Sequence, residues 1–133
     1  MIDIEKQIYT PIAKAAREKF PGLTVRGVYV KSPPKLPLLT IVEQDNYTVK
    51  ARMDSSDTER FATVLYEVNI YSNNSDEKKS NCREIMRFVD NLFYRMNFTR
   101  LSMTPVPNMN DATIYRLNVR YQAATDGEKM YRI

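Results

Sequence analysis

Between Phe61 and Phe98 the hydrophobic pattern changes its period, and this constrains the fold more than any other feature of the sequence. From Phe61 to Ser72 the side chains alternate: Val64, Tyr66, Val68 and Ile70 share one face, and Leu65, Glu67, Asn69 and Tyr71 share the other. A period of two belongs to a β-strand. Ser72-Asn73-Asn74-Ser75 then interrupts the pattern and offers several helix caps. From Asp76 to Phe98, Cys82, Ile85, Met86, Val89, Leu92, Phe93 and Met96 recur at helical spacing. Lys78, Lys79, Arg83, Glu84, Arg87, Asp90 and Arg95 take much of the remaining helix surface. A strand and a helix that each carry one apolar face are most stable when they bury those faces in a common core.

The flanking sequence extends this pairing. Ile4, Ile8, Ile12, Ala15 or Ala16, and Phe20 predict a helix over residues 2–20, ended by Pro21-Gly22. Thr10-Pro11 leaves two readings open: Thr10 caps a second helix, or one helix bends where Pro11 lacks its amide donor. Leu23 to Val30 reads as a strand, with Val25, Gly27 and Tyr29 on one face. Ser32-Pro33-Pro34-Lys35-Leu36-Pro37 reads as a stiff extended connector. Leu38 to Val42 reads as a short buried strand, followed by a polar turn over Glu43-Gln44-Asp45-Asn46. Tyr47 to Met53 reads as a half-buried strand, and Asp54 to Glu59 as a second polar turn. Thr99 to Met103 reads as a short strand, with an extended connector forced by Pro105 and Pro107 after it.

The last long strand runs from Ala112 to Ala124. Thr113, Tyr115, Leu117, Val119, Tyr121 and Ala123 form its apolar side; Ile114, Arg116, Asn118, Arg120 and Gln122 form its polar side. Asp126-Gly127 marks a turn before a short tail or edge strand at Met130 to Ile133. Helices and strands are segregated rather than strictly alternating. The expected fold is therefore α+β: a single domain over residues 1–133, built as a two-layer sandwich with a mainly antiparallel sheet and two helices on one face. The other face, bearing Glu67, Asn69, Arg116 and Arg120, is expected to stay partly open.

Composition narrows the chemistry. The chain has no His, one Cys and three Gly. Without His it lacks the commonest general base, and one Cys cannot build an ordinary structural zinc site. Gly22, Gly27 and Gly127 form no phosphate-cradling array. Cys82 lies on the apolar helix stripe, which reads as a core thiol rather than a nucleophile. No apolar run is long enough to span a membrane, no secretory leader is evident, and a lone Cys favours the cytosol over the extracellular space. Candidate carboxylates are Glu43 with Asp45, Asp54 with Asp57 and Glu59, and Asp111; all fall in polar turns and none has the spacing of a calcium loop. No catalytic, cofactor or metal residue is expected, and the protein reads as a non-enzyme.

The net charge of +4 is unevenly spread. Residues 1–35 hold seven Lys/Arg against three Asp/Glu, whereas residues 36–75 hold three against six. An acidic middle suits a basic surface on a partner or another copy, beside the plainer reading of a mixed solvated surface. Arg116 and Arg120 lack the interleaved aromatics of an RNA-reading sheet, because Tyr115 and Tyr121 lie on the opposite side.

Three stretches carry a family resemblance. They are Tyr66-Glu67-Val68-Asn69-Ile70-Tyr71-Ser72-Asn73, Met96-Asn97-Phe98-Thr99-Arg100, and Pro105-Val106-Pro107-Asn108-Met109-Asn110-Asp111-Ala112-Thr113-Ile114-Tyr115-Arg116. Over residues 5–125 the chain resembles the tail terminator, or tail completion, proteins of Firmicutes tailed phages and phage-tail-like bacteriocins. The resemblance implies a structural ring, commonly a hexamer, in the tail–neck region of a virion assembled in the host cytoplasm. Such a ring caps the tail tube, ends its polymerisation and presents a head-docking surface. The implied partners are further copies of the chain, the tube protein and neck proteins, with no membrane and no specific nucleic acid. A head–tail connector on the portal side is the alternative role; a nucleic-acid-binding module and a metal-dependent hydrolase are further competitors. The expected interface residues are Glu43, Asp45, Tyr47, Arg52, Asp54 and Asp57 on a protruding hairpin, Glu67 and Asn69 on the open face, Asn108 and Asp111 in a loop, and Arg116 and Arg120 on the last strand.

Overall fold

The apolar stripes and alternating strands assemble around one core in the computed structural model, which describes residues 1–31, 35–49, 60–73, 77–107 and 113–133. The order is α1 (Glu5–Lys19), β1 (Thr24–Arg26), β2 (Leu38–Thr48), β3 (Ala62–Ser72), α2 (Lys78–Arg95), β4 (Thr99–Val106), β5 (Tyr115–Thr125) and β6 (Met130–Tyr131). The strands form one sheet in the order β1-β2-β3-β5-β4, with β6 also paired to β5. Only β1 and β2 run parallel; the remaining pairs are antiparallel. The α+β class is thus as expected.

Both helices cover the same side of the sheet. Ile8, Ile12, Ala13 and Ala16 of α1 and Cys82, Ile85, Met86, Val89 and Phe93 of α2 join one core with Leu39, Ile41, Val64, Tyr66, Val68, Ile70, Leu117, Val119, Tyr121 and Ala123. Register aligns these strand positions: Ile41 faces Val68, and Val68 faces Val119. At the centre, Phe93 stacks on Tyr121 with 4.2 Å between ring centroids and 7° between planes. Phe98 meets Phe93 edge-on at 5.2 Å and Tyr66 at 5.7 Å.

Several boundaries differ from expectation. At Thr10-Pro11, where two readings were open, the single-helix one holds: α1 runs from Glu5 to Lys19 with the exposed Pro11 inside it. The Asp3 carboxylate, rather than Thr10, meets an orphan donor at the helix start, accepting the Glu5 N–H at 3.1 Å. Strand β1 is three residues long, because its pairing with β2 ends at Arg26 and Thr40. Val28 and Tyr29 beyond it are exposed. The carbonyl of Val25 is taken by side chains: Tyr9 Oη donates to it at 3.4 Å, Arg17 at 3.2 Å and Arg26 at 3.1 Å. Gly27 permits the Tyr9 ring to approach, since a Cβ there would stand 3.2 Å from its Cε2.

The expected break over Glu43 to Asn46 is absent: Leu38–Thr48 is one strand carrying a bulge between Glu43 and Asp45. Strand β4 continues through Pro105, which a sheet edge tolerates because the missing amide is not needed by an outer neighbour. No helix among the described residues is long and apolar enough to cross a membrane.

Candidate functional site

The sheet face opposite the helices collects the polar positions of β3 and β5. Register sets them in rows: Thr40 beside Asn69 and Asn118, Val42 beside Glu67 and Arg120, Leu38 beside Tyr71 and Arg116. Asn69 is the hub. Its Nδ2 donates to Glu67 Oε1 at 3.1 Å, and its Oδ1 accepts from Arg116 Nε and Asn118 Nδ2, each at 3.0 Å. Glu67 Oε2 lies 3.6 Å from Arg120 Nε. The Arg116 guanidinium stands 5.4 Å from the Tyr71 ring centroid, within cation–π range.

Asn69 is fully buried and Glu67 nearly so, while the Arg120 side chain is 51% exposed. The face is therefore closed to water at Asn69 and Glu67, which the alternation places on an open face, while Asp45, Tyr47 and the arginine edge on β5 reach it. Tyr29 lies near enough to Glu67, Arg120 and Arg116 to feel their charges. Its phenol is held above its ordinary value, first by desolvation and then by Glu67, against the lowering pull of the arginines.

Thr40 is 1% exposed, and its Oγ1 has no hydrogen-bond partner among the described residues. A buried hydroxyl left unpaired destabilises the fold. Thr40→Val keeps the shape and is expected to raise the unfolding free energy by about 1 kcal/mol in urea denaturation. A loss of similar size would mean that the hydroxyl has a partner in solution.

The structure brings together Glu67, Asn69, Arg116 and Arg120 of the expected set. Asp45 and Tyr47 are exposed on the same face, in the rows of Leu65 and Thr63. Glu43 departs from them. The bulge at Gln44 puts Glu43 in the row of the core residue Tyr66, so the two neighbouring carboxylates project to opposite faces. Arg52, Asp54, Asp57, Asn108 and Asp111 lie outside the described residues, as does most of the expected hairpin tip. Asn118 was legible in the β5 alternation, but nothing marked it as a partner of Asn69. Tyr29 was missed because the expected strand ran too far.

Two core tyrosines reach acids at the rims of the helix layer. Tyr66 Oη donates to Glu43 Oε2 at 3.1 Å, and Tyr121 Oη donates to Asp90 Oδ1 at 2.7 Å. Burial foremost, and then the facing carboxylate, holds both phenols well above the ordinary 10.0. Burial also pushes the Cys82 thiol up to about 12, as suits a core thiol whose Sγ lies 3.7 Å from the Ile70 and Tyr115 carbonyl oxygens.

These raised values fix a sign. Unfolding restores the ordinary values of 9.0 for the thiol and 10.0 for the phenols, so above these the unfolded chain holds fewer protons than the folded one. Their contribution is complete below about pH 9 and declines above it, by about 1.4 kcal/mol per pH unit for each fully titrating group. Urea unfolding between about pH 8 and about pH 11 is expected to show this loss, with a shallower slope for Tyr66→Phe. An unchanged slope in that variant would remove Tyr66 from the account.

No group of three or more His, Cys, Asp or Glu positioned to hold a metal occurs among the described residues. The arrangement offers a rigid face with its polar groups fixed by one another and guanidinium ends at the solvent edge. No protein-family model and no curated protein matches this chain.

Proposed function

We propose that this protein is a non-catalytic assembly component that forms a ring on a phage tail tube, ends tube growth and offers the surface on which the head docks. One observation carries the reading: Glu67 and Asn69 from one resembling stretch and Arg116 from another meet in a single hydrogen-bonded network. A buried, mutually satisfied polar network holds side chains at fixed positions, which a docking face for the tube or the head requires. The tail terminator resemblance of those stretches supplies the context: a virion tail–neck, with the tube protein, neck proteins and further copies as partners.

Negative-stain imaging of particles made without this protein tests the role. Tubes of excessive and variable length are expected. Tubes of normal length that lack heads would overturn the terminator reading in favour of a connector on the portal side.

A further inference from the structure

We propose that two oppositely charged rims of the helix layer form a head-to-tail contact between copies of this chain. The basic rim is a groove of about 210 Å³ between α2 and β4, lined by Arg83, Met86, Arg87, Asp90, Arg100 and Met103. Asp90 is already engaged, accepting from Tyr121 and pairing with Arg100 at 3.4 Å. Arg83 and Arg87 are exposed and pair with no carboxylate among the described residues. Met86 and Met103 supply apolar lining to the groove.

The acidic rim is a cleft of about 630 Å³ where the start of α1 meets β2, with Asp3, Glu5 and Glu43 on its walls beside Met1, Asn46 and Thr48. Sheet order sets β2 and β4 on opposite sides of the β3–β5 pair. The rims therefore stand about 14 Å or more apart across the sheet, at the usual strand spacing. A contact between two different patches on opposite sides is heterologous, and its repetition closes a ring when the rotation allows.

The occupant follows from charge and from the edge itself. Three carboxylates on one rim match three guanidiniums on the other, of which two pair with no carboxylate among the described residues. The β1 edge is closed by the side chains that cap the Val25 carbonyl. The β4 edge has no further strand among the described residues, but Pro105 and the irregularity between Arg100 and Ser102 prevent a long ladder from adding there. The contact is thus made by side chains in the groove rather than by strand addition. It rests on the reading of the chain as a ring subunit and names the surfaces that the ring would use.

Charge reversal in two halves tests it, followed by sedimentation at low and high salt, with circular dichroism to confirm folding. One variant carries Arg83→Glu and Arg87→Glu. The other carries Glu5→Lys with Asp3→Asn, the asparagine retaining a cap for α1. The full chain is expected to associate at low salt and dissociate at high salt. Each variant alone is expected to bind itself at least about tenfold more weakly, and an equal mixture to recover association. Variants that associate as the parent does would overturn the contact and leave the ring reading intact. A mixture that stays dissociated would overturn the pairing of the rims, as would a parent that stays monomeric at low salt. The ring reading itself fails separately, if tails made without the protein keep their length.

Discussion

Phe93→Ala is expected to lower the unfolding free energy by about 3–5 kcal/mol, the range for truncating a large buried aromatic. The ring is fully buried and touches every other member of the central aromatic group. It stacks on Tyr121, meets Phe98 at 5.2 Å and stands 6.2 Å from Tyr66. Truncation leaves a void that neither the sheet nor the helix can close, because Tyr66 and Tyr121 are tethered at their hydroxyls to Glu43 and Asp90. A domain of this size has only about 5–15 kcal/mol in total, so the variant should be close to its folding limit. Phe93→Leu, which keeps much of the volume, should cost distinctly less. Urea denaturation followed by circular dichroism measures both. A loss below about 1 kcal/mol for the alanine variant would show that the aromatic group does not hold the helix to the sheet.

Asn69→Ala is expected to cost about 2–4 kcal/mol, despite removing only a small polar group. The asparagine satisfies three neighbours at once: the Glu67 carboxylate, the Arg116 Nε and the Asn118 amide. Without it Glu67, 7% exposed, keeps among the described residues only the Arg120 contact at its other oxygen. Arg116 and Asn118 are half-buried and recover some hydration, which sets the cost below the sum of three buried losses. A double-mutant cycle with Arg116→Ala separates the parts. Coupling above about 0.5 kcal/mol is expected for groups within one network. Independent effects would show that the two side chains merely adjoin. If the network fixes the docking face for the tube, Asn69→Ala should impair tail-length control under conditions where the protein remains folded.

How much of this was legible in the sequence depends on whether the signal was periodic. The α2 stripe from Cys82 to Phe93 was readable because burial repeats with the helix, and the even-numbered face of β3 because its apolar residues alternate, although β3 is buried on both faces. Glu67, Asn69, Arg116 and Arg120 were assigned to the face opposite the helices for the same reason, but the expected openness fails at Glu67 and Asn69, which are buried. Their hydrogen bonds were not readable, since alternation gives the face of a residue but not its register against another strand. The bulge at Gln44 was hidden because one extra residue shifts the phase without changing composition. It also made a continuous strand look like two strands and a turn. Pro105 likewise made a strand look shorter than it is, since its cost in a strand vanishes at an edge, and edges are defined only by the whole sheet. The shortness of β1 had the same origin: Val28, Tyr29 and Val30 have the residue types of a strand, but pairing stops at Arg26.

The pairing of β3 with β5 has a consequence for synthesis. Ala62 pairs with Thr125 and Ser72 with Tyr115, so the middle of the sheet joins segments separated by all of α2 and β4. Until the last segment emerges from the ribosome, β3 has only one neighbour and β4 has none, and both leave backbone donors and acceptors open to other chains. Folding cannot finish domain-half by domain-half. It waits for the C-terminal strand, and closing so long a loop is a slow step. Products that stop before Tyr115 are therefore aggregation-prone fragments rather than smaller folded units, and a shortage of full-length chain would appear first as insoluble protein.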